Sequence, residues 1–312
     1  MYHTRLGEVS AVDQVSFDIH RGEILGLVGE SGCGKSTMGK ALLRMIAHPG
    51  YISSGQIFFK NRDVMLYDEE QIRDFRGKCV SMIFQDPMTS LNPVQRVDEH
   101  IIEAIQVHEI QTKKLPALGR VKTLIERLGI GENRLCCYPH QLSGGMRQRV
   151  MVGLGLVLNA NLIIADEATT SLDVIVEAKL VDQLKEIREE FGVAILAVTH
   201  NIALVAELAD RLAVMYAGHL VEIGSIYQVF DKPLHPYTRG LLDSVPNIRL
   251  DEKEVLYKMP GEPPNLSRPP SGCRFHPRCP ERMPICSQKP PQFLEVKDGQ
   301  QVKCWLYQED KG

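Results

Sequence analysis

The sequence lacks the long hydrophobic run that a membrane-spanning helix requires. Its longest apolar run covers residues 150–158, far short of the roughly 20 residues needed to cross a bilayer. Residues 1–7 also contain no apolar core of a secretory signal. We therefore expect a soluble cytoplasmic protein that touches a membrane only through a partner.

An excess of charge of either sign is also absent. The 312 residues include 36 Lys and Arg against 39 Asp and Glu, which gives a net charge of -3 at pH 7. Because proteins that bind nucleic acids neutralise phosphates with Lys and Arg, this balance argues against a nucleic-acid partner. The chain length predicts about two domains.

The strongest motif present is the glycine-rich segment 29–37, GESGCGKST, which we call the phosphate loop. It fits the pattern G-x-x-x-x-G-K-[ST]. An apolar run at 24–28 precedes it and a helix-compatible segment at 38–46 follows it, which is the strand, loop and helix context that such a motif needs. The alternative is a glycine-rich turn that merely enters a helix.

The residue types of the phosphate loop suit a polyphosphate ligand. Gly29 and Gly34 let the backbone curl so that its N–H groups point inward, and the following helix adds the positive end of its dipole. Lys35 is predicted to reach the β and γ phosphates, and Ser36 to offer its hydroxyl to Mg²⁺. By analogy with such loops, Thr37 is predicted to contact the α phosphate.

Apolar patterns elsewhere predict an α/β fold. A helical block at 98–158 interrupts the strands as an insertion. Thirteen of the eighteen prolines follow residue 225, so the tail is predicted to be rich in loops. Residues 1–28 are predicted to be β structure, because apolar residues alternate over 9–19. The other predicted strands are 54–59, 80–84, 162–165, 194–199 and 211–223, and a long helix is predicted at 174–191.

Polar residues at the ends of these elements are candidate site residues. Ser143 opens a Ser-Gly-Gly turn; an N-cap explains the serine, whereas the two glycines permit close approach to a ligand. Asp166 and Glu167 end a buried strand, where they can bind Mg²⁺ and accept a proton from water, although surface charges are the alternative. His200 ends another apolar strand, which favours a γ-phosphate contact over a structural role.

Four cysteines in the tail have wide spacing. Intervals of five, six and seventeen residues separate Cys273, Cys279, Cys286 and Cys304. Zinc modules usually pair cysteines two to four residues apart, so the spacing favours a larger [4Fe-4S] cluster. Structural zinc, free thiols and disulfides are the alternatives. The remaining cysteines are interpreted as ordinary core or loop residues: Cys33, Cys79, Cys136 and Cys137.

Together these motifs resemble the nucleotide-binding subunits of ABC transporters, and within them the oligopeptide/dipeptide importer ATPases. The resemblance covers essentially the whole chain. It implies a P-loop NTPase (RecA-like) core with an antiparallel β subdomain at 1–225, a helical subdomain at about 86–158, and a C-terminal extension at 226–312 that carries the four-cysteine cluster. Its markers are the phosphate loop, Gln85, the signature at 142–146, Asp166 with Glu167, the segment 171–173 and His200.

The resemblance also implies individual roles. Tyr2 is expected to stack on adenine. The family has a strand before this aromatic residue, whereas only Met1 precedes it here. We therefore expect either that the start of the sequence is truncated or that this strand is absent. Met146 replaces the more usual glutamine of the signature. Glu167 is expected to activate water and His200 to sense the γ phosphate. Ser143 and Gly145 are expected to contact the ATP that the opposite subunit holds. The implied ATP and Mg²⁺ contacts are Gly29, Ser31, Gly32, Cys33, Gly34, Lys35, Ser36, Thr37, Gln85 and Asp166.

The implied activity is ATP hydrolysis that drives peptide import. The expected partners are two permease subunits, an extracytoplasmic peptide-binding protein and a second ATPase subunit, either a copy or a paralogue, at the cytoplasmic face of the membrane. The segment 235–242 resembles the His-Pro-Tyr segment of these ATPases. Nickel importers share it, so another solute remains an alternative, as do a soluble ABC ATPase of DNA repair or translation and a binding module.

Overall fold

The computed structural model describes residues 1–4, 7–84, 91–167, 174–244 and 259–308. The chain divides into a first unit, Met1–Gly55 with Ala197–Gly312, and a second unit, Gln56–Leu196. Among the described residues, no helix is long and apolar enough to span a membrane.

A mostly buried sheet forms the core of the first unit. Its strands lie in the order β11 (Leu294–Lys297), β12 (Gln300–Val302), β10 (His219–Ser225), β9 (Arg211–Tyr216) and β3 (Ile24–Val28). Strands β3 and β9 are parallel, and the other pairs are antiparallel. All five residues of β3 are buried, as expected of a parallel strand covered on both faces. The elements are β1 (Tyr2–Thr4), β2 (Gly7–Val9), β3 (Ile24–Val28), α1 (Lys35–Leu42), α7 (Ile202–Leu208), β9 (Arg211–Tyr216), β10 (His219–Ser225), α8 (Ile226–Asp231), α9 (Pro236–Asp243), β11 (Leu294–Lys297) and β12 (Gln300–Val302).

The second unit combines two parallel strands with packed helices. Strands β6 and β7 pair in parallel, with Val80 opposite Leu162, and helices α3, α4 and α5 contact one another. Strand β8 (Ala194–Val198) begins in this unit and ends in the first. The other elements are β4 (Phe58–Phe59), β5 (Arg62–Asp63), α2 (Glu69–Asp74), β6 (Val80–Ile83), α3 (Val97–His108), α4 (Lys114–Arg127), α5 (Gly144–Leu156), β7 (Leu162–Asp166) and α6 (Val174–Phe191).

Most of the predicted elements are confirmed, and the predicted strand at 9–19 is wrong. Only Gly7–Val9 pairs there, in the β1–β2 hairpin. Gln14 has a φ of 49°, and the Asp13 N–H donates to the Gly218 carbonyl at 2.8 Å, so the backbone turns instead of continuing a ladder. The strand predicted at 54–59 shortens to Phe58–Phe59.

A buried carboxylate anchors the start of the tail. The Glu222 side chain is fully buried and accepts hydrogen bonds from the Leu234 and His235 N–H groups, at 2.8 and 2.9 Å, and from Gln300 Nε2 at 2.9 Å. Because a buried carboxylate needs such partners, this one side chain fixes both α9 and the β11–β12 hairpin against β10.

His235 makes stability depend on pH. Burial lowers its pKa from 6.5 to about 3, so it is neutral in the folded protein, and it caps α9 by accepting the Tyr237 N–H at 3.0 Å. Between pH 6.5 and 3 the unfolded chain binds a proton at His235 and the folded chain does not. The contribution of His235 to the free energy of unfolding is therefore complete above pH 6.5 and is lost as the pH falls towards 3. Between pH 7.5 and 5 we expect a loss of about 2 kcal/mol from this residue.

Urea unfolding at both pH values measures this loss. His235→Asn keeps a capping side chain and is expected to lose about 2 kcal/mol less than the wild type over the same range. His20→Asn, at an exposed histidine, serves as the control and should keep the wild-type pH dependence. An unchanged pH dependence in His235→Asn would contradict the assignment.

Candidate functional site

The phosphate loop follows β3, its last three residues begin α1, and it requires glycine at two points. A Cβ at Gly29 would lie 2.1 Å from the Met215 carbonyl oxygen, and a Cβ at Gly34 would lie 2.2 Å from the Ala11 carbonyl oxygen. Gly34 also has a φ of 107°, which side chains rarely tolerate. The sequence prediction that these two glycines shape the loop therefore has a steric reason within the fold.

The side chain of Lys35 folds back onto the start of the phosphate loop. It is buried, and its Nζ donates to the Gly29 and Glu30 carbonyl oxygens at 2.8 and 3.1 Å. Helix α1 begins at Lys35, with Gly34 at its N-cap. Because Gly34 has no side chain, the first backbone N–H groups of α1 have no side-chain cap, and such a helix end favours anions.

The other loop residues divide into inward and outward positions. Cys33 is buried, and burial raises the pKa of its thiol against the opposing charge of Lys35. Its carbonyl accepts the Gly218 N–H at 2.8 Å, so Cys33 serves the loop through its backbone. Ser31 and Gly32 are exposed.

Tyr2 lies next to the end of the phosphate loop. It begins β1 opposite Val9, and its hydroxyl is 3.5 Å from the Thr37 hydroxyl. Its ring packs on Gly50, where a Cβ would approach it to 2.6 Å. The structure thus places the predicted adenine-stacking residue beside the loop.

His200 follows β8 at the end of the sheet that carries the loop. The preceding Thr199 N–H donates to the Leu27 carbonyl at 3.1 Å. The following Asn201 caps α7 by accepting the Ala203 and Leu204 N–H groups. His200 is therefore an exposed side chain between two fixed neighbours.

In the second unit, two acidic residues end β7 as predicted. Asp166 is buried, and Glu167 has a left-handed φ of 47°. Such a conformation is uncommon for a residue other than glycine and is concentrated at functional sites. Gln85 and the segment 171–173, the remaining predicted markers, lie outside the described residues.

The Ser-Gly-Gly turn begins α5. Ser143 caps the helix by accepting the Met146 N–H at 3.3 Å, which confirms the predicted N-cap. A Cβ at Gly144 or Gly145 would meet no described atom within 4 Å. Packing within the described chain therefore does not require these two glycines, in contrast to the glycines of the phosphate loop.

The four tail cysteines lie in one region of the first unit. The Cys273 N–H donates to the Cys286 carbonyl at 2.8 Å. Burial, with a smaller effect of the neighbouring thiols, raises the pKa of Cys304 to about 12 and of Cys279 to about 11. In the described ranges, no three His, Cys, Asp or Glu side chains are arranged to hold a metal ion.

The sequence analysis missed the residues that hold the loop from the tail. Arg278 forms a bidentate ion pair with Glu30, and the Tyr237 hydroxyl accepts the Glu30 N–H at 3.0 Å. The only sequence signals were an arginine directly before Cys279 and a tyrosine within the His-Pro-Tyr segment. Neither signal indicates the phosphate loop as the partner.

Two family models match the chain. One described as "ABC transporter" matches residues 12–170, and one described as "Oligopeptide/dipeptide transporter, C-terminal region" matches residues 221–286. The second match begins within β10 and ends at Cys286, so it includes α8, α9 and three of the four tail cysteines.

Curated relatives are similar over nearly the full length. The dipeptide transport ATP-binding protein DppD of Bacillus subtilis (strain 168) is 43% identical over 303 residues, which is 96% of this chain and 90% of the relative. The oligopeptide transport ATP-binding protein OppD of Escherichia coli (strain K12) is 44% identical over 306 residues, 97% of this chain and 90% of the relative.

Solved structures share the fold over about 70% of the chain. The cbiO1 protein of Clostridium perfringens, part of the ABC transporter complex cbiONQ, has a TM-score of 0.63 and 28% identity over 71% of this chain and 84% of its own. The dimeric bacterial ABC transporter cassette MJ0796 has a TM-score of 0.60 and 25% identity over 69% of this chain and 90% of its own.

Proposed function

The chain belongs to the ABC transporter family, among the ATP-binding subunits of oligopeptide and dipeptide transporters, and we propose that it hydrolyses ATP to drive import of di- or oligopeptides through a membrane permease. The observation that carries the ATPase proposal is the phosphate loop, with its two sterically required glycines and the buried Lys35. The match of the tail to the oligopeptide/dipeptide region supports the peptide cargo.

The residue roles follow from the chemistry of phosphoryl transfer. Lys35 and the N–H groups of α1 would neutralise the phosphates of ATP, and the Ser36 hydroxyl and the Asp166 carboxylate would bind Mg²⁺. Glu167 would accept a proton from the water that attacks the γ phosphate in line. His200 would contact that phosphate, Tyr2 would stack on adenine, and Gln85 would complete the Mg²⁺ shell.

We also propose that two subunits share each ATP. Ser143 and Gly145 would contact the nucleotide that the opposite subunit holds, which gives a function to glycines that packing does not require. The dimer of the similar cassette MJ0796 supports a paired arrangement. The second subunit would be either a copy or a paralogue.

We propose that the second unit contacts a permease. Its surface has a groove of about 390 Å³, and two apolar side chains elsewhere in this unit, Leu66 and Val94, are 83% and 80% exposed. This contact would place the subunit peripherally at the cytoplasmic face of the membrane. The lining residues are Glu69, Ile72, Arg73, Arg76 and His108.

Reconstitution tests the cargo. The subunit, its second ATPase subunit, two permease subunits and an extracytoplasmic binding protein are assembled in vesicles, and ATP hydrolysis is measured with di- and oligopeptides, Ni²⁺ or sugars. Peptides are expected to stimulate hydrolysis. Stimulation by Ni²⁺ but not by peptides would replace the peptide proposal with that of a nickel importer.

We propose a [4Fe-4S] cluster as the ligand of Cys273, Cys279, Cys286 and Cys304. Zinc modules usually pair cysteines two to four residues apart, whereas five, six and seventeen residues separate these four. No three of the described His, Cys, Asp or Glu side chains are arranged to hold a metal ion of either kind. A four-iron cluster binds one thiolate per iron and therefore suits wider spacing. The buried Lys303 lowers the pKa of Cys273, although burial outweighs this effect; such a cation favours an anionic thiolate cluster.

Metal analysis of anaerobically purified protein decides between the two metals. Iron with an equal amount of sulfide is expected, and Cys279→Ser should lose both. Zinc without iron would establish the structural zinc alternative.

A further inference from the structure

Residues of the tail hold the second residue of the phosphate loop, Glu30. Arg278 Nη1 lies 2.8 Å from Glu30 Oε2, and Arg278 Nη2 lies 3.0 Å from Glu30 Oε1. The Glu30 N–H donates to the Tyr237 hydroxyl at 3.0 Å. Both the side chain and the backbone of Glu30 are therefore fixed by residues that follow β10 in sequence.

Arg278 is itself held in place. It is 7% exposed, its Nε donates to the Pro260 carbonyl at 2.9 Å, and its Nη1 also lies 3.3 Å from the Tyr216 hydroxyl. Its guanidinium lies 5.7 Å from the centre of the Tyr216 ring. A planar fork with this many fixed partners binds a carboxylate in one orientation.

The segment 273–279, which we call the cysteine segment, joins these contacts to the thiols. Phe275 packs against Tyr216 and Tyr237, with ring centres 5.1 and 5.5 Å apart. Arg278 directly precedes Cys279. The position of the guanidinium therefore depends on how the cysteine segment is folded.

A second arginine of the cysteine segment contacts residues next to the loop. Arg274, directly after Cys273, donates to the Ala217 carbonyl and to the Asp13 carboxylate. Gly218, which follows Ala217 in the sequence, donates its N–H to the Cys33 carbonyl at 2.8 Å. The cysteine segment therefore supports the phosphate loop at Glu30 directly and at Cys33 through Ala217 and Gly218.

We propose that the cysteine segment holds the phosphate loop in its ATP-binding form, with Arg278 and Tyr237 as positioning residues. Glu30 supplies one of the two carbonyls that orient the Lys35 ammonium group, so fixing Glu30 fixes the lysine that meets the phosphates. The inference rests on the proposed ATPase function. It follows that anything that orders Cys273 and Cys279 increases the affinity for ATP.

The test is a double-mutant cycle on the full-length chain. Arg278→Gln and Glu30→Gln are made singly and together, and the ATP dissociation constant, KM and kcat are measured. Each single variant should raise the dissociation constant and KM about tenfold, the size expected for loss of one charge-assisted contact. The kcat should change far less, and the double variant should be no weaker than either single variant.

Two further variants separate positioning from folding. Arg282→Gln, at an exposed arginine of the same tail, should bind ATP as the wild type does. Cys279→Ser should raise the dissociation constant in the same direction as Arg278→Gln, with little further loss when the two are combined. Arg278→Lys keeps the charge but loses the planar guanidinium that makes two hydrogen bonds to the carboxylate, so its affinity for ATP should be intermediate. This variant tests the positioning role if the glutamine variants do not fold.

The contrary outcomes are distinct. Wild-type ATP affinity in Arg278→Gln or Glu30→Gln, even with a lowered melting temperature, would reduce the ion pair to a structural contact and overturn the inference. Additive losses in the double variant would overturn it too. A wild-type chain that binds no ATP would instead remove the proposed function on which the inference rests.

Discussion

Replacement of Glu167 by glutamine is expected to lower ATP turnover by about a thousandfold, the usual size of a lost general base. The amide keeps the shape of the side chain but cannot accept the proton of the attacking water. ATP binding should persist, because the phosphates depend on Lys35 and the N–H groups of α1. Phosphate release in the steady state and equilibrium binding of ATP measure the two effects separately.

A matched control uses the same substitution at an exposed position. Glu186, on α6, is exposed, and Glu186→Gln should hydrolyse ATP at the wild-type rate. Hydrolysis at the wild-type rate in Glu167→Gln would remove Glu167 as the base. Loss of ATP binding in that variant would indicate that the carboxylate holds the nucleotide instead of activating water.

The second large effect is expected from Gly34→Ala. The new methyl group would lie 2.2 Å from the Ala11 carbonyl oxygen, in a residue whose φ is 107°. The clash is with backbone, so the loop itself must move, at a cost of about 3 kcal/mol in folding free energy. Because Lys35 follows directly, the displaced loop should no longer bind ATP at concentrations that saturate the wild type, as calorimetric titration would show.

Gly119→Ala provides a control of opposite sign. Gly119 lies within α4, and a Cβ there meets no described atom within 4 Å. Alanine favours a helix interior over glycine, so this variant should gain about 1 kcal/mol and keep its ATP affinity. Equal stabilities of the two variants in urea unfolding would show that the steric account of Gly34 is wrong.

The sequence predicted those parts of the site that depend on short spacing. A phosphate loop is a local pattern between a strand and a helix, and Ser143 lies three residues before the N–H that it accepts. Acidic residues at the end of an apolar strand are equally local. The strand or helix that flanks each motif can be predicted from the same short stretch of sequence. The positions of Gly34, Lys35 and Asp166 at the ends of these elements could therefore be predicted without coordinates.

The contacts between the tail and the loop could not be predicted in this way. Glu30 and Arg278 are 248 residues apart in sequence, and their pairing depends on the path of a proline-rich segment with no periodic pattern. The strand predicted at 9–19 failed for a related reason. Its alternation was real, but the long-range contacts of Asp13 with Gly218 and Arg274 fix a turn there instead.

In the proposed pair of subunits, the phosphate loop of one subunit requires the Ser-Gly-Gly turn of the other. The measurement is the mass in solution of Glu167→Gln, alone and mixed with the second ATPase subunit of its transporter, with and without ATP. ATP is expected to produce a stable pair. Adding Ser143→Arg, at an exposed position, should abolish pairing while ATP still binds to the loop. If the pair forms equally well without ATP, or despite Ser143→Arg, the phosphate loop of one subunit does not require the Ser-Gly-Gly turn of the other.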